Sequence, residues 1–161
     1  MKTCVFAGSF DPITIGHYQT VEKCLKLFDK VVIAVGINPE KTPLFTAEER
    51  IKIIKEAFKN INNVEVKEFS GLLVDFMKDN GYNVYVRGIR NGEDYAFENS
   101  MAIYNKDMYP ELITVFIPSD VEESYISSTA VRTIINLGGD YEKYIPEKAI
   151  LAVKEIVKTK R

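Results

Sequence analysis

The 161-residue chain holds 46% hydrophobic and 27% charged side chains at a formal net charge of −2, a balance that excludes a disordered chain and a general nucleic-acid binder. Its length suits one domain, 1–161, with a substantial core. No apolar run of about 18 residues occurs, one lysine and a brief apolar stretch precede Asp11, and Cys4 and Cys24 lie too far apart for a CxxC pair; the expectation is a cytoplasmic, untargeted protein without disulfide, zinc or membrane contact.

Thr3–Ala7 predicts the first strand, which runs into Gly8-Ser9-Phe10-Asp11-Pro12-Ile13-Thr14-Ile15-Gly16-His17. Val21, Cys24, Leu25 and Phe28 then recur at helical spacing. Val31–Val35 predicts a second strand, and the loop from Ile37 to Phe45 is long enough to cover a ligand. Thr46 and Glu49 form a capping box before the apolar stripe Ile51, Ile54 and Phe58. Val64–Glu68, Val84–Val86 and Ile113–Ile117 complete the predicted strands, the fourth leading into a loop Arg87-Gly88-Ile89-Arg90. Pro118–Ser127 forms a second long loop, a helix runs from near Ser128 to Gly138-Gly139, and Pro146 suits the start of the last helix.

Strands alternating with helices imply βαβ units, hence an α/β, Rossmann-like, doubly wound sheet of five parallel strands with helices on both faces. The order 3-2-1-4-5 sets the carboxyl ends of strands one and four side by side, at the gap where such sheets bind ligands. The two most unusual loops meet there.

The only histidine, His17, stands just after Gly16 at a strand-to-helix passage whose first turn offers free N–H groups to phosphate. Gly8 permits close backbone approach and Ser9 adds a hydroxyl. Arg87 and Arg90 have the planar fork that suits phosphate oxygens, and Ser127-Ser128-Thr129 opens a helix with hydroxyls and N–H groups. On the residues alone, a plain turn, a structural histidine, solvated arginines and an ordinary helix cap stand as alternatives. Neither a Walker loop nor a GxGxxG fingerprint is present, which argues against P-loop phosphoryl transfer and a dinucleotide dehydrogenase.

Gly8 to His17 resembles the (H/T)xGH motif region of the nucleotidyltransferase superfamily. Together with Asn38-Pro39-Glu40-Lys41, Phe45-Thr46-Ala47-Glu48-Glu49-Arg50, Arg87-Gly88-Ile89-Arg90 and Tyr125-Ile126-Ser127-Ser128-Thr129, nearly the whole chain resembles the bacterial phosphopantetheine adenylyltransferase family. The resemblance implies transfer of AMP from ATP to 4′-phosphopantetheine, giving dephospho-coenzyme A and pyrophosphate in coenzyme A synthesis.

Under that resemblance His17, Lys41 and Arg90 are catalytic. ATP contacts Ser9, Phe10, His17, Gly88, Ile89, Arg90, Glu98, Glu123, Ser124, Tyr125, Ile126, Ser127, Ser128 and Thr129, while the acceptor meets Ser9, Lys41, Leu73 and Arg87. Arg132 adds a charge one turn into the helix, and the Tyr104-Asn105 region lines the pantetheine arm. Three positions depart from the family: Ala7 replaces a usual proline, Glu123 a common aromatic and Tyr104 a common methionine, so that Glu123 weakens adenine contacts and Tyr104 reshapes the acceptor pocket. The family is typically hexameric, which implies a homo-oligomer, and Mg2+ is expected to arrive with ATP, with no metal held by the protein itself.

A phosphate monoester with a second pKa of about 6 is mostly a dianion at neutral pH, so it attacks phosphorus without a general base. Positioning and charge stabilisation are then the protein's contribution, in a direct in-line transfer with no covalent intermediate. The alternatives are a nucleotidyltransferase with another phosphate acceptor, such as nicotinamide mononucleotide, and a non-catalytic adenine-nucleotide sensor.

Overall fold

In the computed structural model, which describes residues 1–161, five parallel strands pair in the order β3-β2-β1-β4-β5: β1 (Thr3–Gly8), β2 (Lys30–Ile37), β3 (Val64–Ser70), β4 (Val84–Ile89) and β5 (Ile113–Pro118). The order is the expected one. The strands run past their expected carboxyl ends, most of all β4, where Arg87, Gly88 and Ile89 pair with Phe116, Ile117 and Pro118 instead of forming a loop. Arginine and glycine break the β-branched pattern, yet the ladder continues because β5 presents partners alongside.

Six α-helices connect and follow the strands: α1 (Ile15–Leu27), α2 (Ala47–Ala57), α3 (Leu73–Asp79), α4 (Gly92–Met108), α5 (Ser128–Asn136) and α6 (Ile150–Thr159). The Thr46–Glu49 capping box opens α2 as expected. Ser127 caps α5, and Gly138 follows it at φ 75°, a left-handed turn that glycine adopts without strain. Pro146 precedes a short 3-10 turn at Glu147–Ala149 that feeds α6.

Alternation along β1 divides the core. Cys4 and Phe6 point to the larger cluster, with Val31, Ile33 and Val35 of β2 and the buried sides of α1, α2, α5 and α6; Val5 and Ala7 point to a smaller one with Val32, Ala34, Val74 and Met77. Both cysteines are buried free thiols in the larger cluster. Only Asn105 of α4 is buried, and Phe97, Ile103 and Tyr104 stand well exposed. No helix is long and apolar enough to cross a membrane.

Candidate active site

The sheet order reverses direction between β1 and β4, and these strands pair only at Val5–Tyr85 and Phe6–Val86. Beyond those pairs their ends part, opening a crevice at the switch point. Two cavities fill it. One, of about 430 Å3, is polar and bordered by Ser9, His17, Lys41, Arg90, Ser127 and Arg132; the other, of about 530 Å3, is bordered by Phe69, Leu73, Phe97, Met101, Asn105 and Met108. Ala7, Gly8, Ser9, Arg87 and Glu98 line both, so the two cavities meet along the ends of β1 and β4.

His17 is the third residue of α1, and its position is set by helix capping. The Thr14 hydroxyl accepts from the His17 N–H at 3.4 Å, and the Thr14 N–H donates back to His17 Nδ1 at 3.0 Å. This is a capping box with histidine where glutamate is usual. An amide can only donate, so Nδ1 is the acceptor and the proton of the neutral ring sits on Nε2. Burial, reinforced by the charges of Arg87 and Arg90, lowers the imidazole from 6.5 to about 4. At neutral pH the ring is therefore an uncharged Nε2–H donor. Phe10, at φ 49° and 3% exposed, packs its ring edge-on against the imidazole at 5.1 Å; its side chain supports His17 from below.

Arg87 Nη1 donates to the Ala7 carbonyl at 2.8 Å and Nη2 to Glu98 Oε1, while its buried Nε has no partner. Burial opposes its charge, but the Tyr85 phenol and the Glu98 carboxylate outweigh that and raise its pKa. Ala7, the departure from proline, thus contributes its carbonyl as an anchor. Arg90 is held by Asp94 one turn on, with Nε to Oδ2 at 3.0 Å. At Gly88 a Cβ would come within 3.2 Å of Thr20 Oγ1, so glycine lets β4 pass close under α1.

Lys41 is exposed on the loop after β2, borders the polar cavity and forms no ion pair. At α5, Ser127 Oγ accepts the Ala130 N–H at 3.1 Å, leaving its own hydrogen free. Ser128 differs from expectation: its hydroxyl donates to the Pro12 carbonyl at 2.8 Å, so only its backbone N–H is left to meet a phosphate. Arg132 donates to the Asp11 carbonyl at 2.8 Å and to Thr129 Oγ1 at 3.1 Å.

Of the residues expected to bind nucleotide, Ser9, Phe10, His17, Gly88, Arg90, Glu98, Glu123, Ile126, Ser127, Ser128 and Thr129 border the polar cavity, and Ile89, Ser124 and Tyr125 do not. Tyr125 stands 67% exposed, edge-on to Tyr144. Of the acceptor set, Ser9 and Arg87 lie at the junction, Lys41 on the polar side and Leu73 on the apolar side. Asn105 borders the apolar cavity but Tyr104 does not, because successive residues on a helix point about 100° apart and Tyr104 faces outward. Glu98, expected among the ATP contacts, borders the polar cavity and pairs its carboxylate with Arg87. Thr14 and Asp94 were missed as site residues, although the N-cap spacing to His17 and the i,i+4 spacing to Arg90 are both readable signals.

The sequence profile of the cytidylyltransferase-like family matches residues 5–134. A phosphopantetheine adenylyltransferase of Heliobacterium modesticaldum is 43% identical over 155 residues, 96% of this chain and 92% of the relative. One from Clostridium botulinum (strain 657 / Type Ba4) is 41% identical over 161 residues, 100% of this chain and 98% of the relative. Among solved structures, a bifunctional NMN adenylyltransferase/ADP ribose pyrophosphatase from Francisella tularensis superposes with a TM-score of 0.75 at 18% identity. That match covers 96% of this chain and about half (49%) of the solved one, and it shows a shared fold.

Proposed function

The chain belongs to the cytidylyltransferase-like family and, within it, to the phosphopantetheine adenylyltransferases, and on that premise we propose that it transfers AMP from ATP to 4′-phosphopantetheine, giving dephospho-coenzyme A and pyrophosphate. The observation that carries this reading is the junction of a polar and a largely apolar cavity at Ser9 and Arg87. An acceptor with a phosphate at one end and a long, weakly polar arm fits it, the arm against Leu73 and Met101 and the phosphate at Arg87. Nicotinamide mononucleotide as acceptor, or a nucleotide sensor without one, leaves the apolar cavity without a role.

The ATP phosphates lie in the polar cavity, between His17 and Arg90 on one side and the first turn of α5 on the other. An oxygen of the acceptor phosphate forms a bond to the α-phosphorus, the bond from that phosphorus to the bridging oxygen breaks, and the electron pair leaves with pyrophosphate. No proton moves, since the acceptor is mostly a dianion. Arg87 uses one hydrogen of each Nη on Ala7 and Glu98, and with Nε buried the remaining hydrogen on each Nη is left for the acceptor phosphate. The Nε2–H of neutral His17 donates to the α-phosphate oxygens as charge builds on them, a preorganised donor of the oxyanion-hole kind. Lys41, unpaired and long, adds its ammonium from the acceptor side. Ser127, with the N–H groups that open α5, receives the departing pyrophosphate.

A divalent metal accompanies ATP in this reading, and we take it to be Mg2+. No three His, Cys, Asp or Glu side chains converge to hold an ion, and Asp94 and Glu98 are engaged by arginines; phosphate oxygens and water suit such an ion as ligands. When bound, it neutralises phosphate charge. The reading also takes the chain as one nucleotidyltransferase domain, 1–161, at work in the cytoplasm as a homo-oligomer, the hexamer of the family. The exposed apolar side chains of α4 support assembly, and light scattering in solution tests it.

The deciding experiment incubates the protein with ATP and 4′-phosphopantetheine, and separately with bare pantetheine, and weighs the products by mass spectrometry. Dephospho-coenzyme A from the phosphorylated acceptor alone is expected. Conversion of bare pantetheine, or of neither, overturns the reading, and retention of configuration at the α-phosphorus overturns the single in-line step.

A further inference from the structure

At the wall of the polar cavity, three charged side chains join segments that the backbone leaves independent. Asp11 is 5% exposed and both its carboxylate oxygens are engaged: Oδ2 accepts the Leu44 N–H at 2.9 Å and Oδ1 the Phe45 N–H at 2.8 Å. Arg50 of α2, 4% exposed, donates from Nη1 to the carbonyls of Ser9 at 2.8 Å and Gly36 at 3.0 Å. Arg132 of α5 completes the group, with Nη1 2.8 Å from the Asp11 carbonyl and 3.9 Å from Asp11 Oδ2.

Burying ionic groups costs several kcal/mol each in general, and well-packed apolar side chains serve stability as well or better. Phe45, wholly buried, already anchors the end of the β2–α2 loop in the core. What Asp11 and Arg50 add is direction. One holds Leu44 and Phe45, three and four residues beyond Lys41, to the middle of the β1–α1 loop; the other holds the Ser9 carbonyl to the end of β2, where the Lys41 loop begins. The Lys41 loop is therefore tied at both ends to the loop that carries Ser9 and His17. These loops belong to successive crossovers, so no backbone connection sets the spacing between their tips.

We propose that Asp11 and Arg50 are positioning residues that hold the Lys41 loop in register with the Ser9–His17 loop, so that the Lys41 ammonium meets the acceptor phosphate and the reacting phosphorus. The inference rests on the adenylyltransferase reading for its kinetic consequence, and on the hydrogen bonds alone for the clamp.

Asp11→Asn keeps the size of the side chain but sets an amide NH2 against a backbone N–H. A misplacement of the order of 1 Å is worth about a hundred-fold in rate, so kcat/KM for 4′-phosphopantetheine is expected to fall by about that factor while the ATP dissociation constant, from calorimetry, stays unchanged. Because Asp11 acts through Lys41, D11N/K41A is expected to be no slower than K41A alone. Losses that multiply in the double variant, or an equal loss of ATP affinity, overturn the proposal. Arg50→Lys, which keeps the charge with a shorter reach, gives the same pattern at smaller size and is the test should D11N fail to fold. Hydrogen exchange at Leu44 and Phe45 reads the clamp without substrate: faster exchange in D11N supports it, and unchanged exchange overturns it. A wild-type protein with no acceptor-dependent pyrophosphate release defeats the functional reading, and the exchange measurement then judges the clamp separately.

Discussion

The polar and apolar cavities share Ala7, Gly8, Ser9, Arg87 and Glu98, yet their walls are built in different ways. On the polar side nearly every functional group is held by a neighbour: His17 by Thr14, Arg87 by Ala7 and Glu98, Arg90 by Asp94, Arg132 by Asp11. On the apolar side α4 supplies much of the wall, beside Leu73 at the start of α3 and Phe69 of β3, and its Phe97, Met101 and Met108 are exposed and without hydrogen bonds to fix them. Charge developing at phosphorus rewards donors that are already in place. A long flexible arm is better served by a surface that adapts, for which unbranched, polarizable methionine is suited. Under the proposed function, the contrast assigns rate to one side of the junction and acceptor affinity to the other.

The hardest blow to that division is His17→Ala. Removing one preorganised donor to a developing oxyanion lowers kcat by about a hundred- to a thousand-fold, and acceptor-dependent pyrophosphate release measures it; near wild-type turnover removes the polar side's claim on rate. Arg87→Ala comes next. A hydrogen bond to a charged group is worth about 1.5–3 kcal/mol, or roughly ten- to a hundred-fold, and this loss is expected in kcat/KM for the phosphorylated acceptor, with ATP affinity changed far less. An equal loss for both ligands shows that Arg87 does not favour the acceptor.

Acidity separates the two contributions more finely. His17 is lowered from 6.5 to about 4, so the folded state disfavours its protonated form. The stability this gives is complete above pH 6.5 and is lost as pH falls toward 4. Activity lost below neutrality therefore follows the second ionisation of the acceptor phosphate, near 6, with about a ten-fold fall in rate from pH 7 to pH 5. With one histidine in the chain, NMR assigns the ring directly: at pH 6 it is expected neutral with the proton on Nε2. An imidazolium at that pH contradicts the capping geometry.

Smaller effects belong to the apolar side. Leu73→Ala removes part of a half-buried wall, worth about 1–2 kcal/mol of apolar contact at most, and is expected to raise the acceptor KM while kcat and the ATP KM hold. Tyr104→Ala has the smallest effect expected. Its side chain lies outside both cavities, so steady-state constants remain at their wild-type values, and a change in the acceptor KM returns Tyr104 to the pocket.

Much of the fold was legible because its strands are dense β-branched runs with helical stripes between them, and a central strand buried on both faces leaves that signature. The α4 helix was less so. With only Asn105 buried, it has no apolar stripe facing a core. Arg87 to Ile89 read as loop because propensity is local, whereas the pairing that keeps them in β4 comes from β5. Among site residues, the ones that a spacing rule can reach were recoverable, as Thr14 and Asp94 illustrate, and the ones whose partners lie far along the chain were not.

Residue types and their order were enough to indicate a parallel α/β sheet, a histidine at a helix start, and arginines and serines at strand and helix ends, because periodicity, capping and turn chemistry are short-range; the strand order 3-2-1-4-5 was assumed from the sequence, and the structure shows it. Tertiary structure alone decided how those groups are committed. The Ser128 hydroxyl is turned to Pro12, Glu98 to Arg87, and Asp11 and Arg50 to backbone groups 14 to 41 residues away in sequence. Such commitments depend on which chain ends the sheet brings together, and a hydrogen bond over that separation leaves no periodic trace in the sequence that makes it.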